Sequence, residues 1–337
     1  MEMPYNDIIR KFIDMYAGRL RNQVSFMLSA CNFYMPIFEE ALDAYGLPLE
    51  LRYLPIIESA LNPSAVSRAG ASGLWQFMIG TGKIYGLESN SLVDERRDPI
   101  KATWAAARYL KEMYDIYGDW NLVIAAYNCG PGTINKAIRR ANGETDYWKI
   151  YNYLPKETRG YVPAFIAANY VMTYYCDHNI CPMETNIPAS TDTVQVNKNL
   201  HFEQIADLCN VPLDQIKSLN PQYKKQMIPG DSKPYTLRLP IDAISTFIDK
   251  QDTIYTHRAD ELFRNRKTVA VKDITPATRK TTSAVAGKGN LTYYTIKSGD
   301  TLSTIARKYG VTIKDIQRWN GMSSTKIAAG KRLKIYK

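Results

Sequence analysis

The sequence predicts a mostly α chain: an all-α domain of roughly 180 residues, then small units built of two strands and two helices. Three observations carry that expectation. Apolar residues recur at helical spacing from residue 1 to about 185, few segments alternate with a period of two, and beyond residue 190 the chain repeats itself at an offset of one hundred residues. At 337 residues and 45% hydrophobic content, the chain suffices for one substantial core and one or two small modules.

The helices follow in order from "IIRKFIDMYAGRL", "MPIFEEALDAYG", "ATWAAARYLKEMYDIYG", "NLVIAAYN" and "VPAFIAANYVMTYYC". Asp98 before Pro99 marks a helix start, because the carboxylate accepts the free N–H groups of the first turn and proline has none to satisfy. Gly118 and the "GPG" at 130–132 mark stops. After "NIPAS" the repeat begins: Ile305, Ala306, Val311, Ile313, Ile316 and Asn320 fall on Ile205, Ala206, Val211, Leu213, Ile216 and Asn220. The last copy reads strand "LTYYTI", turn "KSGD", helix "TLSTIARKYG", helix "TIKDIQRWNG" and strand "KRLKIY", with Thr301 and Asp300 equal candidates for the first helix cap. Between the copies, "RKTVAVKDITPATRKTTSAVAGKGN" lacks periodicity and reads as a basic linker; forty flexible residues would reach roughly 35 Å. The expected boundaries are 1–185 for the helical domain, 190–245 for the middle module, 246–290 for the flexible linker and 291–337 for the last module.

A formal charge of +10 implies a polyanionic neighbour, whether nucleic acid, anionic lipid or an acidic wall polymer. No run approaches the roughly 18 apolar residues of a membrane-spanning helix, and "MEMPYNDIIRK" lacks the apolar core of a signal peptide. Either the protein is cytosolic or an export signal is absent from this chain. Five cysteines spread along the sequence form no disulfide framework. Cys176 and Cys181 are spaced to close a small disulfide, or with His178 to offer three metal ligands, fewer than a structural site needs.

Glu58 is the residue that demands explanation. On a helix from about Leu49 to Leu61 it shares a face with Leu51, Leu54 and Leu61, with Pro55 expected to bend the helix beside it. A carboxyl group there is desolvated, which raises its pKa and suits it to hold a proton near neutral pH. A solvated surface glutamate is the plain alternative. The following "NPSAVSRAGASGLWQF" tips the balance: Gly70 and Gly73 would let a bulky ligand approach the backbone, Gln76 offers an amide, and Trp75 or Phe77 a flat face for a sugar ring. A glycan groove fits that set.

"ES" at 58–59, "GLWQ" at 73–76, "AYNCG" at 126–130 and "YV" at 161–162 resemble, in order and approximate spacing, the lysozyme-like lytic transglycosylases, over about residues 40–175. Trp75, where most members have Met, is similar to the membrane-bound murein transglycosylase D branch. The last module resembles a LysM domain, which binds peptidoglycan or chitin; in the middle copy "NKNLHF" replaces the "SGDTL" signature. The resemblance implies a lysozyme-like all-α catalytic domain followed by βααβ LysM-type modules. It implies Glu58 as catalytic acid and then base, Ser67 near it, Gln76 in the glycan groove, Tyr127 and Asn128 as the third motif, and Tyr161 with its hydroxyl facing the acid. It also implies peptidoglycan strands as partner, no metal or organic cofactor, a periplasmic or cell-envelope location, and a monomer; a lipid anchor to the outer membrane would need a signal this chain does not contain.

Most glycosidases use two carboxylates. Glu50 lies about two turns from Glu58, Asp94 and Glu95 belong to "VDERRDP", which reads as a solvated loop, and Asp98 is a helix cap, so no second acid stands out. The family reading is therefore cleavage of the β-1,4 bond between N-acetylmuramic acid and N-acetylglucosamine by one glutamate, closing a 1,6-anhydromuramoyl end. Its rivals are a goose-type-lysozyme-like hydrolase of the same bond, a non-catalytic peptidoglycan-binding scaffold, and nucleic-acid binding by the basic tail, for which no helix-turn-helix, finger or RNP pattern exists.

Overall fold

Helical periodicity up to residue 173 becomes nine α-helices: α1 (Asp7–Ala17), α2 (Arg21–Ala44), α3 (Leu54–Ser59), α4 (Ile79–Ile84), α5 (Pro99–Tyr117), α6 (Trp120–Cys129), α7 (Pro131–Arg140), α8 (Tyr147–Ile150) and α9 (Lys156–Thr173). This computed structural model describes residues 1–263 apart from 186 and 189, and residues 291–336 apart from 298, 299, 321, 323–326, 328 and 329. It has two compact units, Met1–Pro276 and Ala277–Lys337. The mostly α class expected from the sequence holds.

The helix limits follow the capping chemistry. Asp98 accepts from the N–H groups of Ile100 and Lys101, both at 3.0 Å, and α5 ends at Gly118, whose φ of 62° suits a residue without Cβ. In the first unit α1 packs along α9, α2 along α5, and α6 along α9. Phe38, Leu54, Trp75, Leu110 and Phe165 are fully buried between them.

The chain then forms β1 (Thr191–Val196), β2 (Asn199–His201), α10 (Phe202–Cys209), α11 (Leu213–Leu219), β3 (Met227–Pro229) and β4 (Tyr235–Pro240). β1 pairs antiparallel with β4, Thr191 opposite Pro240, and β2 with β3. Residues 246–263, expected to begin the linker, are helical instead: α12 (Ile241–Asp249), α13 (Gln251–Thr256) and α14 (Ala259–Leu262) follow. Ile254 and Tyr255 are buried in the module core, and the Gln204 amide donates to the Tyr255 and His257 carbonyls at 3.2 and 2.8 Å, so the end of α13 is bonded to α10. The apolar side chains of this stretch, absent from the Thr, Ala and Lys tract after it, account for the difference. The rest of the expected linker, 264–290, lies outside the described residues.

The second unit contains β5 (Leu291–Thr295), α15 (Leu302–Tyr309), α16 (Ile313–Trp319) and β6 (Arg332–Tyr336), with β5 and β6 antiparallel. Of the two candidate caps, Thr301 takes the role: its Oγ1 accepts from the Thr304 N–H at 3.2 Å, while Asp300 closes the preceding turn by accepting from the Lys297 N–H at 2.8 Å. The repeat is physical as well as textual. Asn220 donates to the Ile216 and Arg238 carbonyls and accepts from the Arg238 N–H; Asn320 does the same with Ile316 and Lys334, all six bonds between 2.7 and 2.9 Å.

The charged run 93–98 departs most from expectation. Asp94, Glu95 and Arg96 are buried, not solvated. The Asp94 N–H donates to the Gln222 carbonyl at 2.9 Å, the Lys224 N–H to the Leu92 carbonyl at 2.8 Å, and Leu92 and Val93 enter the middle module's core. Lys224 Nζ also donates to the Asn90 carbonyl at 2.8 Å, and Lys233 pairs with Glu88 at 2.6 Å. The middle module is thereby fixed to the helical domain.

Candidate active site

Glu58 lies one residue from the end of α3. The single helix expected from Leu49 is a 3-10 turn, Leu49–Tyr53, followed by α3, and Pro55 sits in the first turn of α3, where its missing N–H costs no bond. Pro55 therefore starts the α-helix and does not bend it. Ala60 and Leu61 then take left-handed angles, φ 51° and 58°, at about 1–2 kcal/mol each for residues carrying a Cβ. Such strain persists where surrounding contacts fix it, and here Leu61 is fully buried and the Ser59 hydroxyl reaches the Leu74 carbonyl at 2.9 Å. Ser59 ties the helix end to the loop that carries Gln76.

Glu58, Tyr16, Gln23, Met27, Ser67 and Gln76 line a cavity of about 410 Å³. Burial pushes the Glu58 carboxyl up to about 7; the hydrogen bond from Tyr161 opposes this, and the charge of Glu157 adds to it. Among the described residues lining the cavity there is no second carboxylate, and Glu157, at the start of α9, is exposed. The Tyr161 hydroxyl donates to Glu58 Oε1. Its turn of α9 is opened by Pro163, which cannot bond the Arg159 carbonyl; the buried Tyr147 hydroxyl donates to that carbonyl instead, at 3.0 Å.

The other expected residues are placed as follows. Ser67 is exposed at the rim, its Oγ accepting from the Ala71 N–H at 3.0 Å. Gln76, at φ 48°, donates to the Gly73 carbonyl at 2.8 Å. The Tyr127 hydroxyl donates to the Trp75 carbonyl at 2.7 Å, and burial beside Glu58 holds its pKa well above the usual tyrosine value, so it stays a neutral donor. Asn128 is not among the residues lining the cavity: its Oδ1 accepts from the Thr158 hydroxyl at 2.9 Å.

Three expectations fail. Trp75 offers no face to a sugar: it is fully buried, edge-on to Phe38, with its indole N–H on the Thr103 hydroxyl at 2.9 Å. Phe77 is buried as well. At Gly73 a Cβ would lie 1.7 Å from the Arg96 carbonyl oxygen, so this glycine makes room for the chain's own backbone and not for a ligand. Ser59, Tyr16 and Gln23 went unassigned from sequence; Ser59 stood within the "ES" motif, whereas α1 and α2 carry no local signal for the other two.

Comparison with known proteins places the chain in a family. Residues 35–150 match the model of the transglycosylase SLT domain, 190–256 that of the lytic transglycosylase MltD LysM-like domain, and 294–335 that of the LysM domain. The membrane-bound lytic murein transglycosylase D of Escherichia coli K12 is 32% identical over 339 residues, covering 99% of this chain and 70% of that protein. The chain belongs to the lytic murein transglycosylases. The soluble lytic murein transglycosylase of the same organism is 33% identical over 124 residues, 35% of this chain and 19% of the other. The crystal structure of the 70 kDa soluble lytic transglycosylase from Escherichia coli aligns with a TM-score of 0.37 and 29% identity, over 42% of this chain and 24% of that one. Glu58, Ser67, Gln76, Tyr127 and Asn128 fall within the transglycosylase match; Tyr161 lies beyond its end.

Proposed function

We propose that this lytic transglycosylase cleaves the β-1,4 bond between N-acetylmuramic acid and N-acetylglucosamine with Glu58 as sole acid and base. One observation carries the reading: a single carboxyl, raised to about 7 by burial, in a cavity with no other carboxylate among its described lining residues. With one carboxylate, a substrate-assisted route fits better than a two-acid one. Glu58 protonates the glycosidic oxygen while the 2-acetamido group of muramic acid supports the anomeric carbon. The ionised Glu58 then takes the proton of the muramoyl 6-hydroxyl, whose oxygen bonds the anomeric carbon and closes the 1,6-anhydro ring. Tyr161 orients Glu58; Ser67 and Gln76 hold the strand at the cavity wall, while Tyr127 and Asn128 support the loops behind them.

Such a substrate implies work in the periplasm or cell envelope, and the basic charge suits a wall polymer whose peptides carry carboxylates. Mass spectrometry of muropeptides released from sacculi tests the reaction. Ends about 18 mass units lighter than hydrated ones, one water missing, are expected; hydrated reducing ends would assign the chemistry to a hydrolase.

The alkaline limb of the pH–rate profile gives a second prediction. Glu58 must be protonated to act, so cleavage should fall as pH rises through about 7. Tyr161 stabilises the ionised carboxylate, so Tyr161→Phe should move this limb to higher pH, read from a pH–rate profile on sacculi; an unmoved limb would remove Tyr161 from the site.

A further inference from the structure

A second and larger cavity, about 1020 Å³, lies between the helical domain and the middle module. The first cavity meets α2 at Gln23 and Met27, the second at Phe26, Ala30, Phe33 and Tyr34, on a neighbouring face further along the helix. The same order holds in the turn after α3: Ala60 and Ala65 to Ser67 border the first cavity, Leu61 to Ser64 the second. At the rise of an α-helix the midpoints of the two stations on α2, near residues 25 and 31, are about 9 Å apart, within the span of about two sugars.

The chemistry of the lining fits an uncharged saccharide. Phe26 is 41% exposed, a large aromatic ring left at the lip of this cavity. Asn62, Gln215 and Ser218 bring amide and hydroxyl groups suited to acetamido and hydroxyl substituents. Glu184 and Asp214 are the charged members, and no Lys or Arg is among the described lining residues, so the acidic peptides of the wall find no cation there. The outer wall, α11, belongs to the module whose "SGDTL" signature is lost. That wall is held in place by the buried contacts of Leu92, Val93 and Asp94 with Gln222, Tyr223 and Lys224.

We infer that this cavity is a second saccharide-binding site, in which the strand cut at Glu58 continues, with the middle module as its wall. The inference rests on the reaction proposed for Glu58, and its test separates the two. The full-length Glu58→Gln protein is titrated with β-1,4-linked N-acetylglucosamine oligomers of four and eight units. The octamer should bind about tenfold more tightly than the tetramer, and adding either Phe26→Ala or a cavity-filling Ser218→Arg should remove most of that gain. Equal affinities overturn the inference. So does a gain that survives both substitutions, since it would then arise elsewhere, as in the last module. Anhydro products from wild-type protein in either of those cases would leave the Glu58 chemistry standing; their absence beside a Phe26-dependent length gain would sink the chemistry alone.

Discussion

Glu58→Gln is expected to lower muropeptide release from sacculi by about a hundred- to ten-thousandfold, the usual loss when a general acid is removed. Glutamine keeps the shape and can still accept from Tyr161, but it has no proton for the glycosidic oxygen. The same substitution should stabilise the protein above neutral pH. The folded carboxyl titrates at about 7, against 4.5 for an ordinary glutamate. Its contribution is harmless below about 4.5, and stability is lost as pH rises from there through 7, by about 3 kcal/mol once the half-buried group is fully ionised. Thermal melts at pH 8 should therefore favour Glu58→Gln by several degrees, with the gap closing toward pH 4. Retained cleavage would end the mechanism; a pH-independent gap would show that Glu58 is not a desolvated acid.

The fold class and Glu58 were legible because both rest on local signals. Period-3.6 apolar spacing writes helices directly into the chain, Asp98-Pro99 and Gly118 mark their ends, and an acid among Leu51, Leu54 and Leu61 stands out within one turn or two. The failures share another cause, contacts distant in sequence. "VDERRDP" reads as solvated because its partners, Gln222 and Lys224, arrive about 130 residues later. Trp75 reads as a ligand face because nothing nearby reveals Phe38 and Thr103 as its packing and hydrogen-bond partners. Residues 246–263 read as linker because α13 is short, and its burial against α10 comes from tertiary packing, not from propensity.

Arg96→Met should cost about 3–5 kcal/mol of stability, because it strands a buried charge and two carbonyls together. Arg96 Nε and Nη2 reach the two Asp94 oxygens at 2.8 Å each, while Nη1 donates to the Gly70 and Phe77 carbonyls at 2.9 Å. One guanidinium thus ties the loop carrying Ser67 and Gln76 to the carboxylate at the module contact. Burial pushes the Asp94 carboxyl up, yet the Arg96 bonds and charge, with Lys224, hold it below its usual value. Its stabilisation is present above the ordinary aspartate range and is lost as pH falls through the lowered value. In Arg96→Met the cations still acting on Asp94 are Lys224, at 3.7 Å, and Arg97. Acid can then neutralise the stranded carboxylate, so the deficit seen in urea unfolding at pH 7 should shrink toward pH 4. Asp94→Asn added to Arg96→Met should recover part of the loss at pH 7, since the double variant no longer buries an unpaired charge. Cleavage should stay impaired in that double variant, because the Gly70 and Phe77 carbonyls still lack their donor and the loop is no longer held. A double variant that regains full activity would show that Arg96 serves Asp94 alone and has no part in positioning the glycan loop.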